Sequence, residues 1–201
     1  MRRLGQKRID GCFGQFIDSL KARGLYDDSV VILTADHGDS LGEGGRWGHA
    51  YTLFPEILQV PLIMHVPSWF RATHEADAAA LAFTTDITPT LYAMLGHEPA
   101  APAPMFGQPL FWATGQRPEA RPGSGHLVAS SYGSVYGWIT NNGRSLYVAD
   151  GVDFRDYQFT LDGSPAGRPE AVGGDERRTG QQSIRDAVDG ISRFYQFEPG
   201  R

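Results

Sequence analysis

Asp36 and His37 stand side by side in Asp36-His37-Gly38-Asp39. In a loop, neighbouring side chains can both point at one ion. A carboxylate oxygen with an imidazole nitrogen suits Zn²⁺, Mn²⁺ or a similar divalent cation, while Ca²⁺ prefers oxygen and takes a mixed site less often. Gly38 lets the backbone turn sharply and approach a ligand closely. His49 follows in Arg46-Trp47-Gly48-His49, twelve residues after His37. A glycine-rich loop can return it to the same cleft as a proton donor or oxyanion partner. Blander roles suit the same residues. Asp36 can cap a helical turn, Asp39 and Glu43 can be solvated loop charges, and His49 can be a hydrogen-bonded surface histidine.

The flanking elements decide between these roles. Ile9, Phe13, Phe16, Ile17 and Leu20 recur at helical spacing and predict a helix over 8–23, ended by Gly24. Cys12 falls on that apolar face and reads as a packing residue. The run Val30-Val31-Ile32-Leu33-Thr34-Ala35 reads as a strand buried on both faces, as in a parallel sheet. In open α/β sheets ligands collect just past the carboxyl ends of strands, which is where Asp36 and His37 fall. Val60 to Pro67 predicts a second strand, with His65 a core or interfacial histidine. Thr88 as N-cap and Pro89 at the first helical position predict a short helix ending at Gly96, which leaves His97 on the surface. After Gly125 come strand-like runs at 126–132, 135–140 and 145–149, with Asn141-Asn142-Gly143-Arg144 as a hairpin turn. Asp153 to Leu161 adds a further strand, Gly163 to Gly180 a loop, and Ile184, Ala187, Val188, Ile191 and Tyr195 a closing amphipathic helix. Two domains are expected, 1–122 and 123–201.

Composition narrows the classes. The chain has 201 residues, 18 Lys and Arg against 23 Asp and Glu, and a net charge of −5. No basic excess is available to neutralise phosphates, which argues against a nucleic-acid-binding module. The single Cys12 excludes an intramolecular disulfide framework. No apolar run approaches the length of a membrane span.

The segment from Leu25 through Asp36-His37-Gly38-Asp39 to Glu43 resembles the central segment of sulfatases in the alkaline phosphatase superfamily. The likeness continues through Trp47-Gly48-His49, Leu53-Phe54-Pro55-Glu56 and Val60-Pro61-Leu62-Ile63. Thr85-Asp86-Ile87-Thr88-Pro89-Thr90-Leu91, Leu95-Gly96 and Gly107-Gln108-Pro109-Leu110 follow in the same order. The resemblance covers roughly residues 8 to 112. The region after Gly125 is similar, less specifically, to the small C-terminal subdomain of these enzymes.

This resemblance implies the C-terminal part of an α/β/α sandwich, followed by a small antiparallel β subdomain with a closing helix. It implies a metal-dependent hydrolase of sulfate esters, the substrate being a small-molecule, glycan or lipid ester. Phosphoester or phosphonate hydrolysis, or phosphoethanolamine transfer, is the alternative within the superfamily. A non-catalytic remnant or binding module is the alternative outside it. Asp36 and His37 match the family's metal ligands, with Ca²⁺ expected for a sulfatase and Mn²⁺ or Zn²⁺ for phosphoryl chemistry. His49 matches a substrate-binding histidine of related transferases and can protonate the leaving oxygen. Arg46 contacts an anionic ester or stays a solvated charge; Trp47 lines the substrate pocket or packs the loop. Glu56 can hold the loop through backbone amides, and His126 can reach the cleft. The family's nucleophile, a formylglycine from Cys/Ser-x-Pro-x-Arg or else a Thr or Ser, lies well before the Asp-His motif. Here 35 residues precede Asp36 and Cys12 is followed by Phe-Gly-Gln-Phe. The chain is therefore expected to be a C-terminal fragment without hydrolytic activity of its own.

Overall fold

The computed structural model describes residues 2–50, 52–97, 107–117, 125–140, 143–161 and 167–195, with the side chains of 2–7 and 194 left aside. In chain order the elements are α1 (Arg2–Ala22), β1 (Val31–Thr34), β2 (Ser40–Leu41), β3 (Trp47–Gly48), α2 (Pro55–Leu58) and β4 (Leu62–His65). They continue with α3 (Ser68–Arg71), β5 (His74–Glu75), α4 (Ile87–Met94) and β6 (Trp112–Ala113). The last are β7 (Gly125–Ala129), β8 (Val135–Thr140), β9 (Ser145–Asp150), β10 (Arg155–Thr160), β11 (Glu170–Ala171) and α5 (Gly174–Tyr195). The chain divides into two compact units, one of residues 1–34, 61–76 and 111–117, the other of 35–60, 77–110 and 118–201.

In the first unit α1 ends as its glycine predicts. Gly24 takes φ +66° and the Leu25 amide donates to the Leu20 carbonyl at 2.9 Å. The apolar face of α1 is only partly covered: Phe13, Ile17 and Leu20 are half-buried, but Ile9 is 70% exposed, Phe16 is exposed, and Cys12 is exposed rather than packed. Periodicity marks a face that needs cover; it does not supply the cover. β1 pairs with β4, Val31 opposite His65 and Thr34 opposite Leu62. The pairing is antiparallel, which corrects the parallel expectation, and β1 is half-buried rather than enclosed. An apolar run reports that a strand seeks burial, and says nothing of the direction of its neighbour. His65 has the packing role expected of it: its ring stacks on Tyr26 at 3.9 Å and Nε2 donates to the Tyr26 carbonyl at 2.9 Å. Phe70 is buried, with His74 stacked on it at 3.9 Å and Phe111 edge-on at 5.5 Å.

The second unit holds the larger core. Its sheet runs β11-β10-β9-β8-β7, antiparallel throughout. Along β8 and β10 buried and open residues alternate, as a sheet with one apolar face requires. Val135, Leu146, Val148 and Phe159 are fully buried, and Leu53 and Phe54 pack against them. Tyr147 projects to the opposite face, where α5 lies, and a Cβ on Gly180 of α5 would run into its ring. α5 begins ten residues before the periodic signal at Ile184, so 174–180 are helical rather than loop. The hairpin from β8 to β9 stands where Asn-Gly predicts it; Asn141 and Asn142 themselves lie outside the described residues.

The helical turn before α4 starts earlier than Thr88 suggests. Residues Thr84–Asp86 already form a 3-10 turn, and Asp86, not Thr88, receives the capping hydrogen bond, from the Phe83 amide at 2.7 Å. Asp86 is fully buried and also accepts from the Gln108 amide at 3.0 Å, while the Thr90 hydroxyl accepts from the Leu110 amide at 2.9 Å. The Thr-Asp-Ile-Thr-Pro-Thr segment thus fastens 107–110 to α4. Gly96 ends that helix with φ +67°, the His97 amide reaching back to the Tyr92 carbonyl at 2.9 Å.

Candidate active site

The site is built inside the second unit on two short segments. One is the turn Asp36-His37-Gly38, the other the hairpin of β2 and β3. The Gly38 amide donates to the Ile57 carbonyl at 2.7 Å, and a Cβ at Gly38 would collide with the Glu56 carbonyl. Only glycine permits this approach of turn to α2. β2 and β3 pair Ser40 with Gly48 and Leu41 with Trp47. His49 follows Gly48 directly, so the hairpin returns it beside His37. The two imidazole rings lie 4.2 Å apart at 30°.

Each ring is oriented by a fixed partner. Nδ1 of His37 lies 2.8 Å from the Gly38 carbonyl. That oxygen can only accept, so Nδ1 carries the proton and Nε2 of the neutral ring keeps its lone pair. Nε2 stands 3.8 Å from the Asp36 carboxylate, with both side chains open to solvent. Nδ1 of His49 lies 3.1 Å from the Asp39 carboxylate, an oxygen that accepts, which turns Nε2 of His49 the other way. Asp39 thus has a role beyond that of a solvated loop charge.

Asp36, His37 and His49 line one end of a cleft of about 570 Å³. Ser130, Ser131 and Tyr132 add hydroxyls, and the Tyr132 ring lies 6.3 Å from that of His49. Leu53, Ile57, Leu81, Phe83, Val128 and Ile139 make an apolar wall. Among the described residues no group of three or more His, Cys, Asp or Glu converges as a metal site. Asp36 and His37 provide two ligand atoms of suitable type, a carboxylate oxygen and Nε2 of the ring.

The other residues singled out in the sequence lie elsewhere. The guanidinium of Arg46 faces Glu56, with Nε 2.7 Å from Oε1 and Nη2 3.1 Å from Oε2, and lies 4.5 Å over the Phe54 ring. Trp47 is 77% exposed on the hairpin and does not line the cleft. The His126 ring lies tilted against Phe83, the centroids 4.0 Å apart. Glu56 accepts from the Ser40 hydroxyl at 2.8 Å as well as from Arg46, so it holds side chains rather than backbone amides. The Ser40–Glu56–Arg46 group and the Asp39–His49 pair carry no signal in spacing; only folding brings their members together.

The fold is similar to that of a phosphonate monoester hydrolase from Silicibacter pomeroyi: 94% of the chain superposes on it, with TM-score 0.59 and 21% identity, over 39% of that protein. Residues 6–97 match the Sulfatase family model. The chain is 34% identical over 90 residues to a low-salt glycan biosynthesis sulfotransferase of Haloferax volcanii, covering 43% of this chain and 22% of that protein. It is 33% identical over 88 residues to a choline-sulfatase of Rhizobium meliloti, covering 44% of this chain and 16% of that protein. The chain therefore spans about a fifth of the length of these curated relatives.

Proposed function

We propose that this chain forms part of a sulfatase-like, metal-dependent hydrolase of sulfate esters. In this reading Asp36 and His37 are metal ligands, and His49 contacts the ester and protonates its leaving oxygen. The observation that carries it is the His37–Gly38 hydrogen bond, which leaves Nε2 as a free donor atom 3.8 Å from the Asp36 carboxylate.

A divalent ion, Ca²⁺ or else Mn²⁺ or Zn²⁺, would neutralise charge on the peripheral oxygens and lower the pKa of the nucleophile. The chain's own residues do the rest of what is assigned here. Asp39 holds the His49 ring so that Nε2 can hand a proton to the departing alkoxide. Tyr132, Ser130 and Ser131 offer hydrogen bonds to sulfate or to the alcohol. The apolar wall keeps bulk water from the organic part of the ester. The nucleophile falls outside this assignment: Cys/Ser-x-Pro-x-Arg does not occur in the chain, and hydrolysis would belong to a longer protein of which this is a fragment. The imidazole ligand favours a second reading, phosphoester or phosphonate hydrolysis with Mn²⁺ or Zn²⁺.

Mn²⁺ titration of the chain, followed by the electron paramagnetic resonance of free Mn²⁺, tests the ligand assignment. Two ligands should give weak uptake, lost in both Asp36→Asn and His37→Ala. Equal uptake by wild type and both variants would overturn it and leave a binding or remnant role. The two chemistries separate when the longest natural form of the protein is assayed with 4-nitrophenyl sulfate and with phenyl phosphonate esters.

A further inference from the structure

The Glu56 carboxylate is 4% exposed, yet it sits on a helix of only four residues, Pro55–Leu58. Its two oxygens accept three hydrogen bonds. The Ser40 hydroxyl donates to Oε1 at 2.8 Å, Arg46 Nε to Oε1 at 2.7 Å and Arg46 Nη2 to Oε2 at 3.1 Å. Ser40 belongs to β2, and Arg46 immediately precedes β3. One carboxylate therefore grips both sides of the hairpin that ends in His49. A few residues away, the Gly38 amide ties the segment carrying Asp36 and His37 to the same helix, at the Ile57 carbonyl.

Apolar side chains of similar volume would fill this space. A buried forked ion pair does something that apolar packing does not: it has one good geometry, and breaking it leaves a charge stranded. That geometry sets where Gly48 lies, because Gly48 is the register partner of Ser40. His49 comes next along the chain. We infer that Glu56 is the positioning residue of the site, holding His49 beside His37 through Ser40 and Arg46. Arg46 is then a positioning residue as well, with no contact to the ester. This inference rests on the proposed site, in which the two histidines act together.

The test compares wild type with Glu56→Gln in the full chain labelled with ¹⁵N and ¹³C. The nuclear Overhauser contact between the His37 and His49 rings, 4.2 Å apart in wild type, should disappear in the variant. Amide signals of Leu146 and Val148 should stay in place, which shows the sheet intact. Added Mn²⁺ should broaden Asp36, His37 and His49 in wild type, and Asp36 and His37 but not His49 in Glu56→Gln. A retained ring contact with unchanged broadening of His49 would overturn the inference. Should Glu56→Gln fail to fold, the double variant Glu56→Gln/Arg46→Gln removes both charges and strands neither; the same ring contact is then read. If Mn²⁺ broadens nothing in wild type, the metal reading fails by itself, and the ring contact still decides the role of Glu56.

Discussion

Val148 of β9 and Ile63 of β4 are both aliphatic strand residues, yet Val148 is fully buried and Ile63 is 59% exposed. The difference lies in their neighbours. β9 is flanked by β8 and β10, has α5 on one face, and has Leu53 and Phe54 packed on the other side of the sheet. β1 and β4 have only each other as hydrogen-bonded partners among the described residues. A two-stranded ribbon cannot cover its own faces, so apolar side chains there stay partly open. The lesson concerns self-sufficiency. The second unit closes its core with its own residues, while the first carries apolar surface on α1 and β4 that its own residues leave uncovered.

That contrast can be broken by mutation. Phe159→Ala should cost the largest amount, about 3–5 kcal/mol, because it empties a fully buried aromatic site. Urea unfolding followed by the signal of the β8–β10 sheet measures it, and a loss below about 1 kcal/mol would mean the core is not close-packed. Arg46→Met should cost about 3 kcal/mol by leaving the Glu56 carboxylate buried without its guanidinium. A thermal melt with a change within about 0.5 kcal/mol would show the pair to be solvated. Gly180→Ala should cost about 2 kcal/mol through the clash of its new Cβ with Tyr147. A neutral result would place α5 farther from the sheet than described.

Alkaline pH sharpens the comparison, since it loads the second unit. Burial pushes the phenol of Tyr147 up to about 12, with the Asp156 carboxylate adding to it. Burial likewise pushes Tyr157 up to about 12, helped by Asp150. The folded state then holds these protons more tightly than the unfolded chain. The stabilisation is full below pH 10, the ordinary value, and is lost as pH rises towards 12. Each loss is on the order of 1 kcal/mol once residual solvation is discounted. Absorbance at 295 nm should show late-titrating phenol that is lost in Tyr147→Phe with Tyr157→Phe, and the same pair should flatten the stability profile above pH 10. The smallest effect belongs to the first unit: Ile63→Ala should stay within about 0.5 kcal/mol in this chain. A cost as large as that of Phe159→Ala would show that β4 is enclosed after all.

Local chemistry was enough to mark several features in advance. Gly24 and Gly96 end helices because only glycine takes a left-handed backbone without strain, and both do so with positive φ. The Asp36-His37-Gly38 turn and His49 were singled out by their residue types, their place past β1 and the resemblance, and the structure brings Asp36, His37 and His49 to one cleft. The strands after Gly125 were legible because alternation and an Asn-Gly turn are local signals. Three expectations failed. The direction of β1's partner and the burial of Cys12 depend on residues distant in sequence, while the cap before α4 is a local bond from Phe83 to Asp86 that competes with the Thr88-Pro89 signal.

What the sequence determined by itself is therefore the main strands and helices, the glycine stops of α1 and α4, and the candidate residues for an ion and a proton. Tertiary structure alone decided which way β4 runs and which apolar faces find cover. It also decided that Arg46 meets Glu56 and that Asp39 orients His49. The division has a physical basis. Propensity, capping and turn geometry act over a few residues, whereas strand direction, burial and ion pairing are set by contacts between segments the chain must first bring together.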